Sequence, residues 1–250
     1  MELSDFFATY PKTAVAFSGG VDSAYLLYAA TKYAKEVRAY YVKTAFQPQF
    51  ELDDALRLAS ELRADMKIIP LDILADKKIV SNTRSRCYYC KKRIFAAIIE
   101  QARLDGFSVL VDGTNASDDV DDRPGMKVLD ELSVLSPLRL CGLTKDEIRR
   151  LSKEADLFTW DKPGYSCLAT RISTGHPITD RLLKRTEEAE NYLFSLGLSN
   201  FRIRTFWDAA KIQVSENDLG LLIKNREKIL SKLAESYESV CLDLEVRDEF

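Results

Sequence analysis

The sequence predicts an α/β protein built from two domains, residues 1–163 and residues 164–250. Short apolar runs alternate with helical segments in the first domain. This favours a parallel sheet covered by helices, because parallel strands need crossover connections. A glycine loop joins the first apolar run to the first long helix. After Pro163 the order changes to helix, two strands, helix and strand, which is typical of a small α+β unit.

The individual elements follow from local patterns. The β-branched apolar run 13–17 predicts a strand, and helix formers with a Tyr/Leu stripe predict a helix over 24–35. Thr144 and Glu147 form a capping box that opens another helix. The first domain also contains strand 37–42, helix 51–62, strand 66–69, helix 91–103, strand 109–111 and strand 134–138. The second domain contains helix 180–196, strands 202–206 and 211–214, helix 216–234 and strand 240–245.

The composition excludes several functional classes. The chain has 250 residues, 46% of them hydrophobic, and a net charge of −3. It is therefore not a disordered chain, and it has no global field for nucleic acid or an anionic membrane. Its N-terminal residues are acidic and no apolar run approaches the roughly 18 residues of a membrane span, so we expect a cytoplasmic protein. His176 is the single histidine, so a metal must use cysteine or carboxylate ligands.

A glycine loop lies between the first strand and the first long helix. Its residues are Ser18, Gly19, Gly20, Val21, Asp22 and Ser23. Glycine permits a positive φ and a close approach of backbone N–H groups to an anion, and the helix N-terminus adds partial positive charge. The loop therefore predicts a phosphate site, with a turn capped by serine as the alternative. The sequence contains neither a Walker A pattern nor a dinucleotide fingerprint.

Three of the five cysteines lie in segments that indicate chemistry. Cys87 and Cys90 are surrounded by five basic residues, which favour the thiolate that binds metal or attacks an electrophile. The pair fits half of a zinc site, a redox dithiol, two iron–sulfur ligands or a structural pair without function. Cys167, in a Pro-Gly loop, would supply a third thiolate and leave one iron of a four-iron cluster open. We interpret Cys141 and Cys241 as small core residues.

An acidic loop, residues 112–125, directly follows the strand 109–111. Ligands bind at the carboxyl ends of strands in open parallel sheets, so we expect Gly113 and Thr114 to line a nucleotide site. The aspartates of this loop are candidate Mg²⁺ ligands, with substrate phosphates completing the shell. An acidic solvated turn is the alternative.

These motifs resemble known proteins at two levels. The Ser-Gly-Gly-x-Asp-Ser loop resembles the pyrophosphate loop (PP-loop) of N-type ATP pyrophosphatases, which cleave ATP between its α and β phosphates. The ordered set of motifs resembles the LarE family, ATP-dependent sulfur transferases that help to build the nickel-pincer nucleotide cofactor of lactate racemase. The motifs are SGGVDS, RCYYCK, DGTNASDDVDDRPG, LTKDEIRRL, KPGYSCLATRI and FRIR. The resemblance implies a Rossmann-like PP-loop domain, of the adenine nucleotide alpha hydrolase type, followed by a small α+β domain.

The resemblance also implies roles for individual residues. The loop 18–23 would hold the leaving pyrophosphate of ATP together with Mg²⁺, with Asp22 taking part in catalysis. Tyr41 and Lys43 would lie beside the adenine. The implied substrate is pyridinium-3,5-biscarboxylic acid mononucleotide, which is doubly acidic and phosphorylated. Its phosphate and carboxylate would be surrounded by Arg171, Glu190, Arg202 and Arg204, with a surface salt bridge as the alternative for each.

The implied reaction adenylylates a carboxylate of this mononucleotide, releases pyrophosphate and then replaces AMP with sulfur. The presence of Cys87, Cys90 and Cys167 favours the family form in which a [4Fe-4S] cluster provides the sulfur. In the alternative form, Cys167 is a sacrificial donor. The family also implies a homo-oligomer, and a sulfur-delivery protein is a candidate partner. Two other functions stay open, a tRNA-thiolating enzyme and a non-catalytic nucleotide-binding module.

Overall fold

The computed structural model describes residues 1–118 and 126–247. The chain divides into two compact units. Unit 1 comprises Met1–Ile73 and Ser85–Lys162, and unit 2 comprises Leu74–Arg84 and Pro163–Phe250. The division into independent domains at residue 163 stays a prediction.

Helices and strands alternate through most of the described chain. The helices are α1 (Leu3–Thr9), α2 (Val21–Tyr33), α3 (Gln49–Glu61), α4 (Lys77–Val80), α5 (Arg86–Leu104), α6 (Lys127–Glu131), α7 (Pro137–Leu140), α8 (Lys145–Glu154), α9 (Asp180–Ser195), α10 (Glu216–Lys224) and α11 (Arg226–Leu233). The strands are β1 (Lys12–Ala16), β2 (Glu36–Lys43), β3 (Asp65–Pro70), β4 (Val109–Val111), β5 (Phe201–Phe206), β6 (Ala209–Val214) and β7 (Ser239–Leu242). A short 3-10 turn spans Leu168–Arg171. No helix in the described ranges has the length and apolar character needed to cross a membrane.

The sheet of unit 1 is parallel. Within the described residues its strand order is β3-β2-β1-β4. Val15 of β1 lies opposite Ala39 of β2 on one side and Val111 of β4 on the other. The chain thus leaves β1 first toward β2 and later returns to β4 on the opposite side. The carboxyl ends of β1 and β4 therefore form a topological switch point, where open α/β sheets bind their ligands.

Helices cover both faces of this sheet. Val15 and Val111 belong to a core with residues of α1, α2 and α8, whereas Ala14 and Leu110, each one residue earlier, belong to a core with α5. Successive side chains of a strand point to opposite faces, so β1 and β4 each contribute to both cores. A parallel sheet buried on both sides confirms the predicted α/β class.

Unit 2 contains a smaller sheet, with the order β5-β6-β7 among the described residues. Strands β5 and β6 are antiparallel, and β7 is parallel to β6. Helices α9, α10 and α11 pack apolar side chains against this sheet, and Leu193, Ile203 and Ile212 lie in the shared core. This arrangement confirms the predicted α+β unit.

The segment Leu74–Arg84 is tied into unit 2 by one side chain. Asn82 is fully buried and has φ +52°, a left-handed conformation that asparagine tolerates better than most residues. Its Nδ2 atom donates to the carbonyl oxygens of Ile172, Ser173 and His176, at 3.3, 2.9 and 3.0 Å. These contacts join residues about ninety positions apart in sequence.

Three predicted elements are wrong in detail. Residues 134–138 form one isolated bridge to β4 and then helix α7, because Pro137 cannot donate to a strand ladder and suits a first helical position. The predicted helix 216–234 is divided into α10 and α11 at Asn225, whose φ of −100° and ψ of 10° interrupt it. The final strand ends at Leu242 rather than at residue 245.

Candidate functional site

The loop between β1 and α2 has the geometry of an anion site. Gly19 has φ +76°, and Gly20 caps α2 without a side-chain hydrogen bond among the described residues. The Gly20 N–H donates to Ser18 Oγ at 3.4 Å, so a turn braced by serine is present, and the phosphate site stays a prediction. The first-turn N–H groups of α2 receive no capping side chain, so they and the partial positive charge of the helix end are available to an anion.

Two serines brace this loop across its base. The hydroxyl oxygens of Ser18 and Ser23 lie 3.0 Å apart, and the Ser23 hydroxyl donates to the carbonyl oxygen of Gly20 at 3.1 Å. The backbone N–H of Ser18 donates to Ser23 Oγ at 3.3 Å. These contacts hold the loop in shape before any ligand is bound.

Gly113 brings the loop after β4 against the start of α2. A Cβ atom at Gly113 would lie 2.9 Å from the Ser23 nitrogen and 3.1 Å from the Ser23 Cα, so only glycine fits without a backbone shift. This close approach follows from the strand order, because β1 and β4 are neighbours whose carboxyl ends lie at the same edge. The structure thus brings together the two loops that the sequence predicted to form a nucleotide site.

The buried Asp112 organises the loop after β4. It is 6% exposed, and its two carboxylate oxygens accept hydrogen bonds from Thr114 Oγ1 and Ser136 Oγ, both at 2.6 Å. The Thr114 hydroxyl therefore supports Asp112, and its predicted contact with nucleotide stays a prediction. The acidic positions 119, 121 and 122, which were candidate Mg²⁺ ligands, lie outside the described residues.

Asp22 pairs with a lysine that the sequence analysis did not single out. Lys145 Nζ donates to Asp22 Oδ2 at 2.7 Å. The other oxygen, Asp22 Oδ1, is buried and has no hydrogen-bond partner in the described part of the chain. An orphaned carboxylate oxygen beside a phosphate loop fits Mg²⁺, which prefers carboxylate and phosphate oxygens. Lys145 is the first residue of α8, and the capping box of Thr144 and Glu147 fixes that helix start.

Tyr41 and Lys43 lie at the carboxyl end of β2, next to β1 in the sheet. Tyr41 is 1% exposed, and its hydroxyl has no partner among the residues described. Burial, with the nearby charges of Glu51 and Asp53, raises the pKa of Tyr41. Lys43 Nζ donates to the carbonyl oxygen of Gln47 at 2.6 Å. Their predicted position beside adenine stays a prediction.

Cys87 lies in the first turn of α5 and Cys90 at the start of the second, and the helix begins earlier than predicted, at Arg86. A spacing of three residues puts the two thiols on the same face of the helix. Cys87 is exposed and Cys90 is half-buried, and Arg86 Nη2 lies 3.6 Å from Cys87 Sγ. The Cys87 thiol therefore lies beside a guanidinium at the N-terminal end of the helix. An exposed thiol at this place argues against a purely structural pair.

One of the five basic residues around these cysteines has a structural partner. Lys92 Nζ lies 2.7 Å from Glu131 Oε2 and 3.1 Å from the Tyr88 hydroxyl. The hydrogen bond to Glu131 is the main cause that raises the pKa of Lys92 to about 12. Arg84 and Arg93 are exposed. The segment is thus partly a solvated, ion-paired helix face and partly a source of positive charge near the thiols.

In unit 2, Arg171 and Glu190 form a buried ion pair. Their side chains are 0% and 1% exposed, and Arg171 Nε lies 2.7 Å from Glu190 Oε1, so a surface salt bridge is excluded for them. Arg171 Nη2 donates to Glu190 Oε2 at 3.2 Å. Arg171 Nη1 donates to the Ser166 carbonyl at 3.0 Å and to Thr170 Oγ1 at 2.8 Å. Every guanidinium nitrogen of Arg171 therefore donates a hydrogen bond within the protein. Two of its partners, Ser166 and Thr170, lie before and after Cys167 in the sequence.

Glu190 is held as firmly as its partner. The Tyr165 hydroxyl donates to Glu190 Oε2 at 2.5 Å, and the Ile203 N–H donates to Oε1 at 3.0 Å. Both carboxylate oxygens are thus used inside unit 2. We infer that this pair positions the loop that carries Cys167, and its predicted contact with substrate stays a prediction.

Arg202 and Arg204 lie two residues apart on β5, so their side chains are on the same face. Arg202 Nη2 donates to Ser166 Oγ at 3.0 Å. The Nε atoms of both arginines are buried and have no hydrogen-bond partner among the residues that the structure describes. Burial and the positive charges of Arg171 and Arg204 lower the pKa of Arg202.

A further arginine, Arg247, joins this cluster. Its Nη1 atom donates to the carbonyl oxygen of Phe201 at 3.1 Å. Burial and the charges of Arg202 and Arg171 lower the pKa of Arg247 to about 10. The arginine cluster, Arg171, Arg202, Arg204 and Arg247, keeps a net positive charge, because Glu190 neutralises one charge and Asp243, near Arg204, already pairs with Lys211. A bound polyanion would relieve this repulsion.

The two remaining cysteines differ. Cys141 is half-buried and packs against the core of unit 1, and burial raises the pKa of its thiol. Cys241 is exposed on β7, so its interpretation as a core residue is wrong; the edge strand leaves it in solvent. Cys167 is half-buried and precedes the 3-10 turn. No group of three or more Cys, His, Asp or Glu side chains within residues 1–118 and 126–247 is arranged to hold a metal ion.

Similarity to known proteins agrees with this geometry. A family model described as queuosine biosynthesis protein QueC matches residues 12–95, from β1 to the helix start that bears the cysteines. The chain is 31% identical over 236 residues to the pyridinium-3,5-bisthiocarboxylic acid mononucleotide synthase of Lactiplantibacillus plantarum, a match that covers 93% of this chain and 86% of that protein. The chain belongs to the LarE family. As a LarE-family protein it is an ATP-dependent sulfurtransferase with a PP-loop domain.

Two further relatives show how much of the chain each kind of similarity covers. An uncharacterized protein of Methanocaldococcus jannaschii is 31% identical, covering 94% of this chain and 90% of its own length. The tRNA-specific 2-thiouridylase MnmA of a Thermotoga species is 26% identical over 188 residues, and this chain spans 52% of it. The LarE-type similarity thus covers both units, whereas the thiouridylase similarity covers 58% of the chain.

Sequence reasoning missed two residues of the candidate site. Lys145 follows the capping residue Thr144 in the LTKDEIRRL motif, so its position at a helix start was readable, but its contact with Asp22 joins residues 123 positions apart. Arg247 lies in no motif and near no other predicted site residue. Only the fold brings it to Arg202.

Proposed function

We propose that this enzyme adenylylates a carboxylate of pyridinium-3,5-biscarboxylic acid mononucleotide and then replaces AMP with sulfur, giving a thiocarboxylate. This would be a step in the biosynthesis of the nickel-pincer nucleotide cofactor of lactate racemase. The name of the Lactiplantibacillus plantarum relative supports this substrate. The similarity to that relative over most of both chains supports the reaction type.

The arginine cluster is the observation that best supports this substrate. The mononucleotide has two carboxylates and a phosphate, and it needs a site with several positive charges. Arg202 and Arg204 each present a buried Nε atom that has no partner among the described residues. Charge-assisted hydrogen bonds from guanidinium groups to carboxylate or phosphate are short and strong, so these atoms suit such a ligand.

In the first step, a carboxylate oxygen of the substrate attacks the α-phosphorus of ATP. The bond between the α-phosphorus and the bridging oxygen breaks, and pyrophosphate leaves with its electron pair. The N–H groups at the start of α2 would stabilise the leaving pyrophosphate. Mg²⁺ bound at Asp22 Oδ1 would supply charge neutralisation of the phosphates. Lys145 would hold the Asp22 carboxylate in place through its contact with Oδ2.

In the second step, a sulfur nucleophile attacks the acyl carbon and AMP leaves. A [4Fe-4S] cluster held by the thiolates of Cys87, Cys90 and Cys167 would supply a transferable sulfur when it is bound. The exposed Cys87 and the half-buried Cys90, three residues apart at a helix start, support two of the three ligands. The alternative donor is the Cys167 thiolate: its sulfur bonds to the acyl carbon, the Cβ–S bond then breaks with loss of the α proton, and dehydroalanine remains.

A homo-oligomer and a sulfur-delivery protein complete the proposal. Both come from the family resemblance. Light scattering of the purified protein tests the first, and cross-linking in a cell extract tests the second.

The test is an anaerobic assay with ATP, Mg²⁺ and pyridinium-3,5-biscarboxylic acid mononucleotide, with pyrophosphate and thiocarboxylate as readouts. We expect wild-type protein to form both products and to contain about four iron atoms and four sulfides per chain. Cys90→Ala should lose the iron and the thiocarboxylate but still release pyrophosphate. The matched control is Cys241→Ala, which removes an exposed cysteine outside the donor set and should keep both.

The same experiment separates the alternatives. Protein without iron after reconstitution, which loses the mass of one hydrogen sulfide in one turnover, would identify Cys167 as a consumed donor. Pyrophosphate release that does not depend on the mononucleotide would contradict the proposed substrate.

The thiouridylase similarity favours one second candidate, thiolation of tRNA. A tRNA-binding enzyme would bind tRNA with an affinity that falls steeply with salt, because each neutralised phosphate releases counterions. Filter binding of tRNA at several salt concentrations tests this function. Absence of measurable binding at low salt would exclude it.

A further inference from the structure

Unit 2 contains a cavity of about 820 Å³ that shares no lining residue with the arginine cluster. It is formed by the start of α9, the turn between β5 and β6, and the segment that follows α11. Two of its lining residues are more than nine-tenths buried, Arg185 at 7% exposed and Tyr237 at 4% exposed. Neither residue has a role in the proposed reaction.

Arg185 has too few partners for a buried guanidinium. Its Nη1 atom donates to the carbonyl oxygen of Ser236 at 3.1 Å, while Nε and Nη2 are buried and have no hydrogen-bond partner in the described ranges. The nearest acidic atom, Asp208 Oδ1, lies 3.6 Å from Nη1 on a side chain that is 64% exposed. This distance exceeds that of a hydrogen bond. Asp208 therefore pairs with Arg185 by charge, without a hydrogen bond to it.

Tyr237 adds a second donor beside the first. The Arg185 guanidinium lies 4.3 Å from the centre of the Tyr237 ring, and this stacking contact restrains the orientation of the guanidinium. The Tyr237 hydroxyl is also buried without a hydrogen-bond partner among the described residues. A carboxylate that accepts from the guanidinium and from this hydroxyl would satisfy both groups.

A comparison with Arg171 shows what is missing at Arg185. Both guanidinium groups lie in unit 2 and both are more than nine-tenths buried. Arg171 has a carboxylate at 2.7 Å and bonds from all of its nitrogens. Buried charges that lack such partners are costly, so natural proteins rarely keep them without a ligand, an ion or a water. Arg185 pairs with Asp208 by charge but has no carboxylate within hydrogen-bond distance among the described residues, and an anionic ligand group would supply one.

The charged residues at the rim of the cavity determine which anions it can bind. Its carboxylates are Asp180, Glu188, Asp208, Glu235 and Glu238. Its cations, apart from Arg185, are Arg181 and Lys184. Lys184 pairs with Asp180 at 2.7 Å, and Glu235 pairs with Lys232 at 2.5 Å, so the rim keeps a smaller excess of carboxylates than its composition suggests. This acidic rim repels a phosphate or a dicarboxylate and attracts an ammonium group. The ligand that fits both regions carries one carboxylate and at least one ammonium group.

We propose that this cavity binds a free α-amino acid, with the carboxylate on Arg185 and Tyr237 and the ammonium group toward the rim carboxylates. An amino acid with a second ammonium group, such as lysine, fits the acidic rim better than a neutral or acidic one. The proposal does not rest on the proposed function, because the site uses neither the phosphate loop nor the arginine cluster.

Isothermal titration of the full chain, without ATP or mononucleotide, tests this proposal with L-lysine as the probe. We expect saturable binding of L-lysine, and binding weaker by about tenfold or more for L-lysinamide, acetate and L-glutamate, each of which lacks or contradicts one recognised group. Inorganic phosphate should not bind in this cavity. Acetate or phosphate binding as tightly as L-lysine would overturn the assignment to an amino acid.

Two variants test the residues. Arg185→Gln should abolish L-lysine binding, whereas the matched control Arg181→Gln, which removes the same charge from the exposed rim, should retain it. If Arg185→Gln does not fold, Tyr237→Phe keeps the ring and removes only the hydroxyl, and it should weaken binding several-fold. Wild-type protein that does not bind L-lysine, or variants at Arg185 or Tyr237 that bind it unchanged, would overturn the proposal.

Discussion

The phosphate loop of unit 1 and the arginine cluster of unit 2 both suit anions, but they are built from different materials. The loop offers backbone N–H groups and a helix end to an anion, and the glycines Gly19 and Gly113 allow its shape. The nearby Lys145 is already paired with Asp22. The cluster uses guanidinium side chains, one of them buried and three half-buried, whose charges act on one another. The first site therefore depends on shape, and the second depends on charge and on the partners that hold it.

The largest effect is expected where charge and burial coincide. Glu190→Gln would leave the Arg171 guanidinium buried without its carboxylate, and breaking such a pair costs about 3–5 kcal/mol of stability. We expect the midpoint of chemical denaturation to fall accordingly. The matched control is Glu188→Gln, two residues earlier on the exposed side of α9, which should change stability by no more than about 0.5 kcal/mol. Equal midpoints for the two variants would contradict the positioning role of Glu190.

A smaller effect, confined to activity, is expected from the shape of the loop. Gly113→Ala places a Cβ atom 2.9 Å from the Ser23 nitrogen, so the backbone at the start of α2 must shift. A displacement of this kind near reacting groups costs on the order of 100-fold in rate. Pyrophosphate release is the measurement. Gly220→Ala is the control, because a Cβ there meets no described atom within 4 Å, and it should leave the rate unchanged. A fully active Gly113→Ala protein would separate this loop from catalysis.

The smallest effect is expected from one charge of the cluster. Arg204→Gln should raise the KM for the mononucleotide by about tenfold, the value of one charge-assisted hydrogen bond, and leave the KM for ATP unchanged. The matched control is Arg226→Gln, which removes an exposed arginine of the same unit. An increase in both KM values would mean that Arg204 supports the fold rather than the substrate.

The sequence predicted those features of the fold that depend on residues close together in the chain. The alternation of strands and helices, the glycine loop between the first strand and α2, and the capping box of Thr144 are short patterns, and the structure confirms each of them. The strand predicted at 134–138 is wrong because Pro137 favours a helix start over a ladder. The long helix 216–234 is wrong because Asn225 interrupts it.

The contacts that complete the candidate site join distant residues, so no local pattern contains them. Lys145 reaches Asp22 across 123 positions, and Arg247 joins Arg202 only through the fold of unit 2. The close approach of Gly113 to Ser23 lies between these two cases, because a general rule predicts it only in part. It follows from the rule on strand ends once β4 is known to lie beside β1, but the sequence does not give that strand order.

The placement of Leu74–Arg84 in unit 2 affects how the chain must be made. During synthesis, Asn82 leaves the ribosome long before Ile172 and Ser173, whose carbonyl groups it binds in the finished protein. Ile79, fully buried in the structure, stays exposed to solvent or to a chaperone during that interval. A gene cut at residue 163 would give one fragment in which Asn82 has lost its carbonyl partners and another without the segment that Asn82 anchors. Unit 2 is therefore not a module that could be exchanged between proteins by a single crossover.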